Sequence, residues 1–401
     1  MAGNGARILA AAVVLAFVAA ACTNAPANSR GHGDGPPPLT VLTHVQGSAS
    51  SGDDIFLGPA GGGYPAGPEI VSTAGRVLWF HALPAGEGAA DFRTQTYRGQ
   101  PVLTWCQIDA GGRPGPLPTV TDYIYSDRYR QIASVRAGNG YTTSWHEFVI
   151  TPRNTALIVA DKVATANLTA MGGPADQKVI DGVVQEIDIV TGKVLFQWIS
   201  AGHVPYRDSH QPLPPSASAP WDWFHINAVH LDTDGNLLVS ARFTWTTYKV
   251  SRRTGAIIWE LGGKQSSFRL RAAPGQILDS AGEIFAFQHD PEPIAHGEYT
   301  VFDDESAPLL GQRLPYSRVV TVRPNLATHV ATLVSSVDQP EHLLAGAMGN
   351  AQTTGNGNLL VGWGTLPFIS EFSPSGRLLF NAELPPGVST YRAYLLPWPP
   401  G

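Results

Sequence analysis

Three histidines, an asparagine and an arginine stand out for the chemistry their side chains carry. His146, in SWHEF, His225, in DWFHINAVHLDTDGNLLVSARF, and His289, in FQHD, each stand at or just before the start of a similar pair of strands. A neutral imidazole is a competent nucleophile and proton carrier near pH 7. The segment around His225 adds Asp222, Asn227 and Arg242. Across a hairpin whose turn is DTDGN, Arg242 returns to the end at which His225 begins, so that guanidinium, imidazole and amide face one ligand. Such a group suits a sulfate or a phosphate. The competing arrangement is a structural ion pair between Arg242 and Asp222. One such histidine by itself is ordinarily a hydrogen-bonded loop or channel residue, and it is the matching position of all three that points to a common site.

Positioning these residues falls to a chain with 43 Gly and 33 Pro in 401 residues, only 14% charged and 43% apolar. That balance predicts many short strands joined by tight turns around a real core. One hairpin recurs as EIVSTAGRVLWFHAL, QEIDIVTGKVLFQWI, YKVSRRTGAIIWELG and SEFSPSGRLLFNAEL. Each copy has a Gly for the positive φ of its turn, and an aromatic such as Trp198 or Trp259 that would wedge between neighbouring sheets. Before three of these comes a second hairpin, HEFVITPRNTALIVADK, HINAVHLDTDGNLLVSARF and MGNAQTTGNGNLLVGWG, whose dense apolar runs fit strands buried on both faces. Two hairpins make a four-stranded blade. The expected fold is therefore all-β, a six-bladed β-propeller with blades at 41–83, 101–135, 146–198, 225–261, 288–334 and 352–384. The last strand, YRAYLLPW, is expected to return to the first blade and close the ring. In that geometry the three histidines surround one channel.

The first residues read MAGNGARILAAAVVLAFVAAACTN, with Arg7 ahead of an apolar run that ends at Cys22. This predicts a signal peptide over 1–21, with cleavage either at the small residues Ala19 to Ala21 or, as favoured, before a lipidated Cys22. A polar Pro/Gly-rich tether over 22–38 and a propeller over 39–401 would follow. The expected setting is export, at the cell surface through a lipid on Cys22 or freely secreted. Cys106 then has no intrachain partner. A net charge of −6 without a basic run excludes a nucleic-acid surface. No GxxxxGK[ST] loop is present for a nucleotide donor. The run GPAGGGYPAGP at 58–68 reads as a turn.

The stretches WDWFHINAVHLDTDGNLLVSAR, YKVSRRTGAIIWELGG, FAFQHDPEPIAHGEYTVFDDES and GNGNLLVGWGTLPFISEFSPSGRLLF resemble the arylsulfate sulfotransferases, in particular a shorter bacterial group without a separate N-terminal domain. The likeness runs from about Pro38 to Trp398. It implies sulfuryl transfer from a phenolic sulfate to another phenol, with no nucleotide and no cofactor, through a sulfated histidine. It assigns the nucleophile to His289, sulfate binding to His225, Asn227 and Arg242, and the remaining catalytic histidine to His146. The implied partners are a small aryl sulfate donor and a phenolic acceptor, with the membrane met only through the lipid anchor.

Chemistry agrees with that assignment. His289 must be unprotonated to attack, and fixed donors such as Arg242 and Asn227 suit the charge that spreads over the sulfuryl oxygens. The adjacent Asp290 points away from His289 in an extended chain and is a weak candidate for orienting it. Three other readings compete. A metal-dependent hydrolase would use the three histidines as ligands, but their spacing pairs none of them and Arg242 would repel the ion, so no metal is expected. A quinone-cofactor dehydrogenase shares the Thr-Gly and Trp hairpins on a larger propeller. A surface-anchored, non-catalytic scaffold has no use for a channel filled with His, Asn and Arg.

Overall fold

The computed structural model describes residues 35–45, 53–110, 116–307 and 310–398. The signal segment, Cys22 and most of the tether lie outside the described residues. Among the described residues no helix is long and apolar enough to cross a membrane.

The chain forms the expected six-bladed propeller: six sheets of four or five strands, with a small extra hairpin pairing Ser306–Ala307 with Gly311–Gln312. The six strands nearest the axis are Val388–Pro397, Glu87–Tyr97, Thr142–Ile150, Ile226–Leu231, His289–Pro293 and Asn350–Thr353, one in each of blades one to six. The ring is closed twice. Val388–Pro397 lies against Asp53–Gly61, in the register Asp53 opposite Pro397, as the innermost strand of the first blade. Thr40–His44 pairs with Leu378–Glu383 as the outermost strand of the sixth. Both terminal edges are thereby hidden.

Two boundaries differ from the sequence reading. Residues 41–44 belong to the sixth blade, not the first, because the outer strand of blade six offers the edge they cover. The second blade begins at Glu87 rather than at residue 101. Its inner strand, EGAADFRTQTY, starts with small residues and lacks the dense apolar run that marks the other inner hairpins. In the Gly-rich stretch, Gly58–Gly61 completes a strand and the turn follows it. A Cβ at Gly58 would lie 2.4 Å from the carbonyl oxygen of Ala89, so only glycine lets blades one and two approach this closely.

Aromatic wedges fill the layers between blades as expected. The ring of Trp198 in blade three lies 6.0 Å from that of Phe224 at the start of blade four, and Trp259 lies 5.8 Å from Tyr299 of blade five. Each such burial contributes roughly 1.5–3 kcal/mol. Cys106 is buried and free.

Along the axis, neighbouring residues of the inner strands alternate between two layers. Glu147, Asp290 and Arg392 meet in one of them. The Arg392 guanidinium bonds Asp91 at 3.2 Å, Glu147 at 2.9 Å and Asp290 at 3.3 Å. Arg93 bonds Asp91 and Glu147, and His230 lies 3.1 Å from Asp290 and 3.3 Å from Glu147. The amide of Ala351 reaches the second oxygen of Asp290 at 3.4 Å. All six inner strands therefore contribute to one buried ion network. Burial pulls the His230 pKa down, but Glu147 and Asp290 outweigh it and push the ring up to about 9.

Deleting residues 388–401 should leave the edge of Asp53–Gly61 open and the ion network without its central cation. The expected result is a soluble monomer lost to aggregation in size-exclusion chromatography, with the β-sheet signal melting far below that of the full chain. A truncated monomer melting within a few degrees of the parent would contradict the closure.

Candidate active site

The other axial layer holds the histidines. His146 is on the inner strand of blade three, His225 immediately precedes that of blade four and His289 opens that of blade five. The rings of His146 and His225 are 5.2 Å apart and perpendicular. Tyr391, from the closing strand, stands 5.8 Å from His146 and 6.4 Å from His289. The three histidines predicted from sequence thus do converge, around a tyrosine that the sequence reading did not single out.

Each ring is held through its Nδ1. Ser144 Oγ lies 2.8 Å from that of His146, whose face stacks on Trp145 at 4.0 Å. Asp222 forms a short contact with that of His225. Asp304 Oδ2 lies 2.7 Å from that of His289. In every case Nε2 is the atom left for a substrate. His225 adopts a left-handed backbone, φ +53°, just ahead of a bulge in its strand. A non-glycine residue held this way stores strain of about 1–3 kcal/mol, a pattern that clusters at functional sites.

Arg242 returns beside His225 as expected, its backbone N–H donating to the His225 carbonyl at 3.0 Å. Its guanidinium is aimed elsewhere. It donates to the Phe287 carbonyl at 2.5 Å, to Asp304 at 3.1 Å, to the Ser306 carbonyl at 3.1 Å and to the Gly346 carbonyl at 2.7 Å. Four of its N–H groups are thus committed to the protein, and the ion pair is with Asp304, not Asp222. Asn227 likewise donates to the Gln288 carbonyl at 2.7 Å, next to His289. Both residues brace the strand that carries His289. Asp290 turns into the ion layer, so the carboxylate that orients His289 is Asp304. The available signal for Asp304 was an acidic run, Asp303–Asp304–Glu305, inside an otherwise apolar strand context in a chain poor in charge.

Burial pushes His289 well below the usual imidazole range, helped by Arg242, His146 and His225. His146 is lowered by burial, then by His225, Arg392 and Arg242. Burial raises Asp304, with Arg242 opposing it. Asp304 Oδ2 stands 2.7 Å from His289 Nδ1, and a proton held on that Nδ1 leaves the lone pair on Nε2. The side-chain carbonyl of Asn227 and the second oxygen of Asp304 are buried without a partner among the described residues, as befits a site completed by a bound molecule or water.

A cavity of about 150 Å³ opens onto His146 and His225, walled by Trp145, Trp221, Leu213 and several prolines, with Asp161 and Asp222. His289, 1% exposed, is not among the residues that line it. The wall segment Trp221–Asp222 is a short parallel addition to blade three, beside Val179 and Ile180. Among the described residues, the acid and histidine group whose donor atoms converge within 4.8 Å is Glu147, His230 and Asp290, in the ion layer. There the Arg392 guanidinium already bridges Glu147 and Asp290.

Residues 123–384, well over half of the chain, match the family model described as Arylsulfotransferase (ASST). No curated protein matches the chain. A solved structure of a protein of unknown function from Bacteroides caccae is 13% identical, with 86% of this chain and 99% of that one covered and a TM-score of 0.50. The Pseudomonas aeruginosa periplasmic gluconolactonase is 11% identical with a TM-score of 0.43, covering 86% of this chain and 99% of its own. The Comamonas testosteroni quinohemoprotein alcohol dehydrogenase is 12% identical with a TM-score of 0.42, covering 94% of this chain and 77% of its own. At such identities the likeness concerns the fold alone.

In a histidine-selective NMR titration, the His289 and His146 rings should keep their neutral signatures as the pH falls through about 6.5, the ordinary imidazole value, because a depressed pKa preserves the neutral form to lower pH. Protonation of either ring at or above that value would contradict the burial described.

Proposed function

The chain belongs to the arylsulfotransferase family, and we propose that it moves a sulfuryl group from an aryl sulfate to a phenol through a sulfated His289, without a nucleotide. The observation that carries this reading is the buried His289–Asp304–Arg242 group facing His146 and His225.

In the first half-reaction the Nε2 lone pair of His289 forms the N–S bond as the S–O bond to the donor's aryl group breaks. The electron pair leaves on the phenolate, which takes a proton from the imidazolium form of His225, paired at Nδ1 with Asp222 and left as the neutral imidazole. The ring of His289 gains positive charge as the bond forms. Asp304, at its Nδ1, offsets that charge, much as a buried carboxylate supports a catalytic histidine elsewhere. In the second half-reaction the same neighbouring imidazole takes the proton of the acceptor phenol, whose oxygen forms the new S–O bond while the N–S bond breaks. Arg242 acts mainly by fixing Asp304 and the Phe287–His289 backbone, and it has one further N–H for a sulfuryl oxygen.

The place of His225 in the cavity wall favours a second reading, in which His225, held by Asp222, is the attacking residue and His289 assists. In either reading the reaction takes place outside the cytosol if Cys22 is the lipidated first residue.

Mixed with 4-nitrophenyl sulfate and a phenol in the absence of any nucleotide, the protein should release nitrophenolate. His289→Ala should lose at least about 10³-fold in rate, and Asp304→Asn about 10²-fold or more at an unchanged melting temperature. Equal release by the parent and His289→Ala would exclude His289 as the nucleophile.

A further inference from the structure

The cavity in front of His146 and His225 has an uneven set of ionisable groups. Asp161 and Asp222 both line it, and none of its described lining residues is Lys or Arg. Asp222 is matched by the His225 ring. Asp161 is not matched: it has a hydrogen bond with the Ser144 side chain and no ion pair among the described residues. It comes from the second strand of blade three, opposite Thr142, and so sits beside the inner strand that carries His146. Ser144 links the two, its hydroxyl also touching His146 Nδ1 at 2.8 Å. Burial, together with the nearby Asp222, pushes Asp161 up to about 8. With no basic partner in this slot the carboxyl keeps its proton near neutral pH, and a cation brought by the ligand stabilises its ionised form. The remaining wall is aromatic and aliphatic, with Trp145, Trp221 and Leu213, and an indole face adds its own attraction for a cation.

We propose that the phenolic substrate of this cavity carries a protonated amino group, which pairs with Asp161 while the ring lies against Trp145 and Trp221. Asp161 is then a specificity-determining residue. It selects a phenol with a cationic side chain over a neutral one, and a neutral one over a phenol bearing a carboxylate. The inference rests on the transfer reading above, since it names the class of phenol which that same site takes.

Three phenols of similar size separate the charges: tyramine, 4-ethylphenol and 4-hydroxyphenylacetate, each offered to the mature protein with 4-nitrophenyl sulfate as donor. The expected order of kcat/KM is tyramine, then 4-ethylphenol, then 4-hydroxyphenylacetate, with about ten-fold between steps. In Asp161→Asn the ratio of tyramine to 4-ethylphenol should fall to about one, whatever the absolute rates. A parental ratio at or below one, or a ratio that survives the substitution, would overturn the proposal. The parental series decides by itself if the variant does not fold. If the parent transfers to none of the three, the transfer reading has failed, and calorimetry decides the inference separately. Tighter binding of tyramine than of 4-ethylphenol upholds it, and equal binding of the two overturns it.

Discussion

The arrangement depends on one buried cation. Arg392 lies on the last strand to join the ring, and its guanidinium meets carboxylates from blades two, three and five while also donating to the Asn227 carbonyl of blade four at 3.3 Å. A charge in a dry interior is tolerated only when it is fully paired, and removing one member of such a group usually costs about 3–5 kcal/mol. The network therefore fixes how the inner strands sit around the axis. It also fixes their neighbours in sequence. His146 adjoins Glu147, His289 adjoins Asp290 and Tyr391 adjoins Arg392. The ion layer acts as the floor on which the histidine layer is aligned. Tyr391 ties the two, its hydroxyl donating to the same Asn227 carbonyl at 3.2 Å.

The electrostatics of the upper layer follow from that floor. Arg392 and Arg242 add positive potential to an interior already short of water, and both effects favour neutral imidazoles over imidazolium. A neutral ring is what nucleophilic attack requires. Two His–Asp pairs result, one lining the cavity, Asp222 with His225, and one buried outside its wall, Asp304 with His289. In the proposed reaction the first pair handles the proton of the substrate. The second is dry, braced by Arg242 and suited to hold a charged intermediate. This division gives Arg242 a structural task that a simple anion-binding role would not predict.

Much of this was legible in the sequence because a repeat makes position informative. Glycine turns and dense apolar strands gave the blade count, and matching places within the blades gave the three histidines. The inner strand of the second blade escaped notice because Gly88, Ala89 and Ala90 carry no apolar signature. Thr40–His44 was assigned to the wrong blade because the pairing of a terminal strand is decided by whichever edge is open, which is not a local property. Asp304 and Tyr391 were missed for a related reason. Tyr391 lies on a strand whose neighbours face a different layer, Asp304 lies just past the end of Tyr299–Asp303, and neither belongs to the repeated pattern. The partners of Arg242 were beyond reach too, since three of them are backbone carbonyls, which no residue type announces.

The central claim is that His289 carries the sulfuryl group, and it is tested most directly without an acceptor. The protein is mixed rapidly with excess 4-nitrophenyl sulfate, quenched in alkali to preserve a phosphoramidate-like N–S bond, digested and mapped by mass spectrometry. The account predicts a burst of about one nitrophenolate per chain and a sulfuryl group on the peptide containing His289, lost when phenol is added before the quench. A burst with the label on His225, or nitrophenolate release only when an acceptor is present, would contradict it.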